Sequence, residues 1–243
     1  MERLILLFTL RPIIIGFFGM VLSGFIFPMC GVIVLRNGLI PIRYMLMHGM
    51  ILGGIIAIGL NLPMVLCIVI INLILVGIMT RLRISLATYS TFLMVLSMGL
   101  ASLLSHVTSV PSKDTLEILW GSPFALTITD IAIMVSVLIV LVGYLTTNFK
   151  NICALSFDKD IASSLGINTK IQTFFLVLIV SIAISISMKV LGALLIDALL
   201  ILPVSCSTKT SKGIKPMFIT STIYGLIFSV VSNFVSIIFH LPV

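Results

Sequence analysis

The chain has 243 residues, of which 60% are hydrophobic and only 9% are charged, and its mean hydropathy is +1.36. This composition excludes a water-soluble domain, in which roughly half of the residues are apolar and the exterior must be wet. A formal charge of +7 would suggest nucleic acid as the partner of a soluble protein, but in a membrane protein it carries information about orientation. The four cysteines are scattered without paired spacing, so we interpret them as small apolar side chains rather than bridges or ligands.

Apolar runs of about twenty residues predict an all-α polytopic transmembrane helical bundle with about eight membrane segments, because barrel strands run only about ten residues. The first run passes Pro28 without a cleavage-like site and is interpreted as a span rather than a signal peptide. No linker or internal repeat is visible, so residues 1–243 are predicted to form a single domain. The second and seventh segments are the shortest. In chain order the segments are 12–35, 44–60, 62–80, 85–104, 127–147, 171–188, 190–205 and 216–239.

The basic residues predict which ends of the segments face the cytoplasm. Ten of the fourteen lysines and arginines fall in loops that an alternating path places on one side of the membrane. Cytoplasmic loops carry an excess of Lys and Arg, so this side is predicted to be cytoplasmic, with the N-terminus outside. The ten residues are Arg36, Arg43, Arg81, Arg83, Lys150, Lys159, Lys170, Lys209, Lys212 and Lys215.

One cytoplasmic loop, residues 156–168 with the sequence SFDKDIASSLGIN, is charged in an otherwise apolar chain and has the signals of a short helix. Ser156 is a suitable N-cap, and Asp158 and Asp160 suit the positive first turn. Gly166 is a natural C-terminal stop. A helix this short is marginal alone and needs packing on one side.

The same loop is predicted to have an apolar face. Phe157, Ile161 and Leu165 recur at four-residue spacing, and Ala162 is expected to lie beside them. An amphipathic helix laid in a groove is a common mode of protein recognition. From the residues alone, a partner-docking helix and an ordinary solvated loop helix are both open.

Three stretches resemble the permease subunits of the ABC importers for zinc, manganese and iron, in the order and spacing of that family. MKVLGALLIDALLILPVSCST (188–208) resembles the family's VGALL segment, and LRNGLIPIRYMLMHGMILGG (35–54) resembles its early Asp- and His-containing segment. LEILWGSPFALTITDI (116–131) resembles its external LFGS…D stretch. The likeness extends from about residue 12 to 240 and implies a multi-pass protein of the inner (plasma) membrane.

The resemblance implies that residues 156–168 are the coupling helix, which docks into a cleft of a cytoplasmic ATP-binding subunit. It assigns Phe157, Ile161, Ala162 and Leu165 to that contact, with Asp158 and Asp160 at its rim and Gly166 ending the helix. The chain contains no G-x-x-x-x-G-K-[ST] phosphate loop, so ATP hydrolysis is expected in the partner and the chain is not expected to be an enzyme.

The resemblance also implies the other components of the transport system. A second permease copy or a related chain would complete the membrane part, and an extracytoplasmic metal-binding protein would deliver the ion. Membrane lipid surrounds the chain, and no nucleic acid is expected. No catalytic residue and no permanently bound cofactor are implied; the cargo would be zinc or manganese, with iron a further candidate.

Two ionisable residues within apolar segments are the predicted metal ligands, because an ionisable group in hydrocarbon costs a few kcal/mol and is usually functional. Asp197 is flanked by LGALLI and ALLILP, and it is either a cation ligand or a protonated acid bonded to a neighbouring helix. His48 matches a family histidine on the ion path. Tyr44 stands where the family has an Asp four residues earlier, and phenol is a poor ligand at neutral pH. We hypothesise that Asp197 supplies the missing carboxylate.

Besides a structural or accessory membrane protein, which would copurify with no ATPase, three alternatives stay open at this point. An importer for iron chelates or cobalamin would share the architecture. An intramembrane enzyme would need a motif such as H-E-x-x-H, which the dispersed His48, His106 and His240 do not provide. The sequence ends at FHLPV, where similar permeases continue into one more apolar helix, so a truncated and degenerate permease is the third.

Overall fold

A computed structural model describes residues 11–81, 86–108, 110–111, 113, 121 and 126–239, which contain ten helices and no strand. Eight long apolar helices account for the eight predicted segments, and two short helices lie between the fifth and sixth of them. Seven helices are long and apolar enough to cross a membrane, and α3 falls just short. The helices are α1 (Arg11–Arg36), α2 (Ile40–Leu60), α3 (Met64–Arg81), α4 (Leu86–Val107), α5 (Ile128–Thr147), α6 (Phe149–Phe157), α7 (Lys159–Ser164), α8 (Thr169–Leu191), α9 (Ala193–Thr210) and α10 (Ile214–Phe239).

The all-α bundle is therefore confirmed, but the prediction that the second segment is short is wrong. Helix α2 has 21 residues because it begins at Ile40, with Pro41 in its first turn. Proline is tolerated there, since the first N–H groups of a helix have no intrahelical acceptor. The earlier start places Arg43 on the helix, although the sequence had assigned it to a cytoplasmic loop.

The long helices pack as two groups that share one central helix. One group contains α2, α3 and α4; the other contains α1, α5, α9 and α10. Helix α8 packs against members of both groups, whereas α1 and α2 touch each other only slightly. The two groups are thus joined mainly through α8.

Small residues allow the closest backbone contacts in the second group. A Cβ atom added to Gly24 of α1 would lie 2.9 Å from the carbonyl oxygen of Gly225 on α10. A Cβ on Gly31 would lie 2.0 Å from the carbonyl oxygen of Leu200 on α9. Without a hydrophobic driving force inside lipid, such close packing is a main source of helix association.

Polar contacts bring together the helix ends that the basic residues assign to the cytoplasm. The Asn37 amide nitrogen, just after α1, lies 3.2 Å from the Ser156 hydroxyl on α6. Arg36 Nε lies 3.2 Å from the Met217 sulfur in the first turns of α10. The end of α1, the short helices and the start of α10 therefore share one side of the bundle, as the alternating path requires.

Candidate functional site

The charged loop forms a short capped helix, but it begins later than expected. Asp158 has an extended backbone (φ −160°, ψ 134°), and its carboxylate accepts the N–H groups of Asp160 at 2.7 Å and Ile161 at 3.1 Å. Asp158, not Ser156, is the N-cap. Ser156 lies inside α6, which continues through Phe157, and its hydroxyl accepts a hydrogen bond from the side chain of Asn37.

Gly166 ends this helix, as predicted from the sequence. Its φ of +78° lies in the left-handed region that favours glycine. The Gly166 N–H bonds to the carbonyl of Ser163 at 3.0 Å, and the Ile167 N–H bonds to that of Ala162 at 3.1 Å. This pair of bonds is the Schellman motif, which satisfies the last carbonyls of the helix. A helix of only six residues is thus fixed at both ends.

Three of the four predicted apolar contact residues are exposed at the end of the bundle. Phe157, Ile161 and Leu165 have 78%, 46% and 67% of their surface exposed. Ala162 is fully buried, so its placement on the same open face is wrong. It follows Ile161 by about 100° around the helix and points inward, where α7 packs against α6 and α8. Asp158 and Asp160 are exposed at the edge.

Inside the bundle, Asp197 pairs with Arg43. The Arg43 guanidinium on α2 forms a salt bridge with the Asp197 carboxylate on α9, and their side chains are 10% and 32% exposed. The guanidinium also donates a hydrogen bond to the Tyr44 hydroxyl and lies 4.2 Å from the centre of the Tyr44 ring. The guanidinium is therefore stabilised by an ion pair with the carboxylate and by a cation–π contact with the aromatic ring. The pair bridges the two helix groups.

His48 lies on α2 one turn beyond Tyr44, so their side chains share a helix face. The ring is half-buried, and its Nδ1 atom is buried without a hydrogen-bond partner. In the ranges given above, no three His, Cys, Asp or Glu side chains converge where they could hold a metal ion. His48 therefore offers one free nitrogen, whereas Asp197 is already occupied by Arg43.

A buried amide lies next to His48. Asn72 of α3 is fully buried and donates a hydrogen bond of 2.7 Å to the Ser185 hydroxyl on α8. A Cβ atom on Gly49 would lie 2.1 Å from the Asn72 Oδ1 atom, so α2 rests directly on this amide. Asn72 thus connects three helices beside the candidate ligand.

Sequence reasoning missed Arg43 and Asn72. The signal for Arg43 was Pro41, which permits an earlier helix start and so places the arginine inside a span. The signal for Asn72 was one amide in the run VIINLIL, where a polar group must find a partner. Of the 116–131 stretch used for the family resemblance, residues 116–120 and 122–125 lie outside the described residues.

The fold is also found in a solved structure. The chain superposes on a chain of PsaBC from Streptococcus pneumoniae in complex with Fab with a TM-score of 0.84 and 21% identity, covering 99% of this chain and 88% of that one. A membrane protein encoded in the ycf23-apcF intergenic region of Cyanophora paradoxa is 26% identical over 97% of this chain and 79% of its own length.

A third relative carries a transport name. The manganese transport system membrane protein MntC of Listeria monocytogenes is 24% identical over 54% of this chain and 46% of its own length. The match thus spans about half the length of this curated relative.

The apolar helices and this superposition define a polytopic membrane bundle with the same fold as that solved chain. The chain belongs to the ABC 3 transport family, whose model matches residues 9–243. The resemblance drawn from three short stretches is confirmed, and the chain is a multi-pass membrane protein of a transport family.

Proposed function

We propose that the chain is the membrane-spanning permease of an ATP-driven importer of divalent metal ions, with manganese or zinc as cargo and iron as a further candidate. A separate ATP-binding subunit would power alternating access. The family membership and the manganese transport name of the Listeria relative support a bare ion over a chelate.

The observation that carries the coupling part of the proposal is the exposed apolar face formed by α7 and the end of α6. Three large apolar side chains are exposed there: Phe157 is the last residue of α6, Ile161 lies on α7, and Leu165 is the C-cap residue of α7. Exposure of such an apolar cluster to water at the end of a bundle is unfavourable, and binding in a cleft of a partner protein would bury it. We assign these residues to the contact with the ATP-binding subunit. Asp158, Asp160 and Gly166 shape the helix, and Ala162 packs beneath it.

Uptake measurements test this assignment. Phe157→Asp places a charge on the apolar face, at its most exposed side chain, and is expected to lower uptake of radiolabelled Mn²⁺ and Zn²⁺ more than tenfold, without reducing the amount of inserted protein. Ser163→Asp is the matched control, because Ser163 is also exposed on α7 but lies off that face. Equal uptake by Phe157→Asp and the unchanged chain would reject the coupling role.

We propose that the ion path runs past His48 and Asp197. The unpartnered Nδ1 of His48 supports a role as a nitrogen ligand, which suits zinc and iron and is accepted by manganese. Asp197 would join it only after Arg43 has moved away, because the guanidinium and a cation compete for the same carboxylate. Movement of α2 relative to α9 would break the salt bridge and expose the acid, which links ligand formation to alternating access.

The other components of the transport system are inferred from the family membership of the chain. An extracytoplasmic metal-binding protein would deliver the ion, and a second copy of this chain or a related one would complete the pathway. Co-purification of the tagged chain from gently solubilised membranes tests this set. An ATP-binding subunit and a second permease chain in the same complex are expected, whereas a monomer that carries no ATP-binding subunit would contradict the assembly.

A further inference from the structure

A groove open on one side lies at the end of the bundle that the basic residues assign to the cytoplasm. It is formed by α1, α5, α6 and α10 and has a volume of about 390 Å³, within the range of about 300–1,000 Å³ typical of small-molecule sites. Its apolar wall consists of Met29, Val142, Leu145, Phe149 and Phe218.

The groove has an apolar floor and a polar edge. Phe149 and Phe218 form the floor in an edge-to-face pair with ring centres 6.2 Å apart. Among the described residues that line it, Thr146 and Lys215 have the polar side chains, and both are exposed. Lys215 has no salt-bridge partner among the residues that the structure describes. A molecule that fits must therefore be apolar along most of its length and carry a negative group at one end.

We propose that this groove binds an anionic phospholipid of the cytoplasmic leaflet, with one acyl chain along the floor and the phosphate at Lys215. Basic pockets between membrane helices on the cytoplasmic side are suited to anionic headgroups, and each nearby lysine adds about 1 kcal/mol of attraction. Other exposed lysines, Lys150 and Lys212, lie at this end of the bundle, which also carries the exposed carboxylates Asp158 and Asp160. The site is separate from the ion path and from the face of α7.

The groove also contacts the element that leads to the coupling loop. Phe149 is the first residue of α6, which continues through Asp158 into α7. A lipid that packs on Phe149 would hold α6 against α1 and α10. Anionic lipid would thus stabilise the position from which α7 meets its partner.

Lipid retention by the purified, delipidated chain tests the proposal. Phosphatidylglycerol and phosphatidylcholine with identical acyl chains are offered in equal amounts, and bound lipid is counted by native mass spectrometry. Phosphatidylglycerol is expected to be retained about fivefold more, and Lys215→Gln is expected to remove that preference. Val142→Trp, which fills the groove, is expected to reduce retention of both lipids. Lys170→Gln is the matched control, an exposed lysine at the same end outside the groove.

Two further experiments distinguish a phospholipid from the other molecules that could occupy the groove. Inorganic phosphate at 100-fold excess is expected not to displace the lipid, and displacement would overturn the proposal in favour of a free-phosphate site. A photo-cross-linker at position 142 in intact membranes is expected to gain the mass of a phospholipid, whereas a protein adduct would show that a partner or a second copy covers the groove. Equal retention of the two lipids, or an unchanged preference in Lys215→Gln, would also overturn it.

Discussion

The proposed coupling end and the membrane interior of this permease are built on different principles. At the coupling end, α7 is specified locally: Asp158 starts it, Gly166 ends it, and three apolar residues remain outside. In the interior, the decisive contact joins Arg43 and Asp197, which are 154 positions apart in sequence. Local rules can therefore locate the proposed docking helix, whereas the polar contacts along the proposed ion path depend on how distant helices meet.

The largest expected effect on transport concerns His48. His48→Ala removes the free imidazole nitrogen and is expected to lower Mn²⁺ and Zn²⁺ uptake more than tenfold, with normal insertion. His106→Ala is the control, since His106 is exposed at the end of α4, on the side assigned to the exterior. Unchanged uptake in His48→Ala would remove the histidine from the ion path and leave only the coupling end as a functional site.

Breaking the salt bridge should have the largest effect on stability. Asp197→Ala leaves the Arg43 guanidinium inside the bundle without its carboxylate, and the expected loss is about 2–4 kcal/mol, less than for a fully buried pair because Asp197 is 32% exposed. This loss is measured as the difference in the free energy of unfolding between the variant and the unchanged chain in detergent. The double change Arg43→Leu with Asp197→Leu is expected to recover most of the loss. No recovery would show that packing rather than charge accounts for the effect.

The contact between α2 and Asn72 can be tested with one methyl group. Gly49→Ala places a Cβ atom 2.1 Å from Asn72 Oδ1 and 2.7 Å from Leu75 Cδ1, so α2 must shift, and we expect a loss of about 1–3 kcal/mol. Gly77→Ala on α3 meets nothing within 4 Å and is expected to be neutral or slightly stabilising. The difference in thermal midpoint between the two variants measures the effect, and identical midpoints would contradict a tight junction beside His48.

The smallest expected effect belongs to the helix cap. Asp158→Ala removes the acceptor for two N–H groups and should cost about 1 kcal/mol, whereas Asp158→Ser retains a capping oxygen and should cost less. Hydrogen exchange of the α7 amides reports this directly. Equal protection in the two variants would mean that packing of Ala162, rather than the cap, holds the helix.

Sequence patterns predicted the eight apolar helices and the terminator Gly166 because these features depend on hydropathy and on one residue's backbone preference. They placed the N-cap at Ser156, whereas the preceding helix continues through Phe157 and Asp158 caps α7. They placed Ala162 on the open face because the packing beneath α7 is a tertiary contact. They did not predict the Arg43–Asp197 salt bridge because the sequence does not reveal which residues of distant helices meet.

Photo-cross-linking from Leu165 tests the central claim most directly, since this side chain is 67% exposed on the proposed docking face. The account predicts an adduct with a cytoplasmic protein that contains a G-x-x-x-x-G-K-[ST] phosphate loop, and loss of that adduct in Phe157→Asp. Labelling of position 165 from the outside of intact cells, or adducts with no ATP-binding protein, would contradict it.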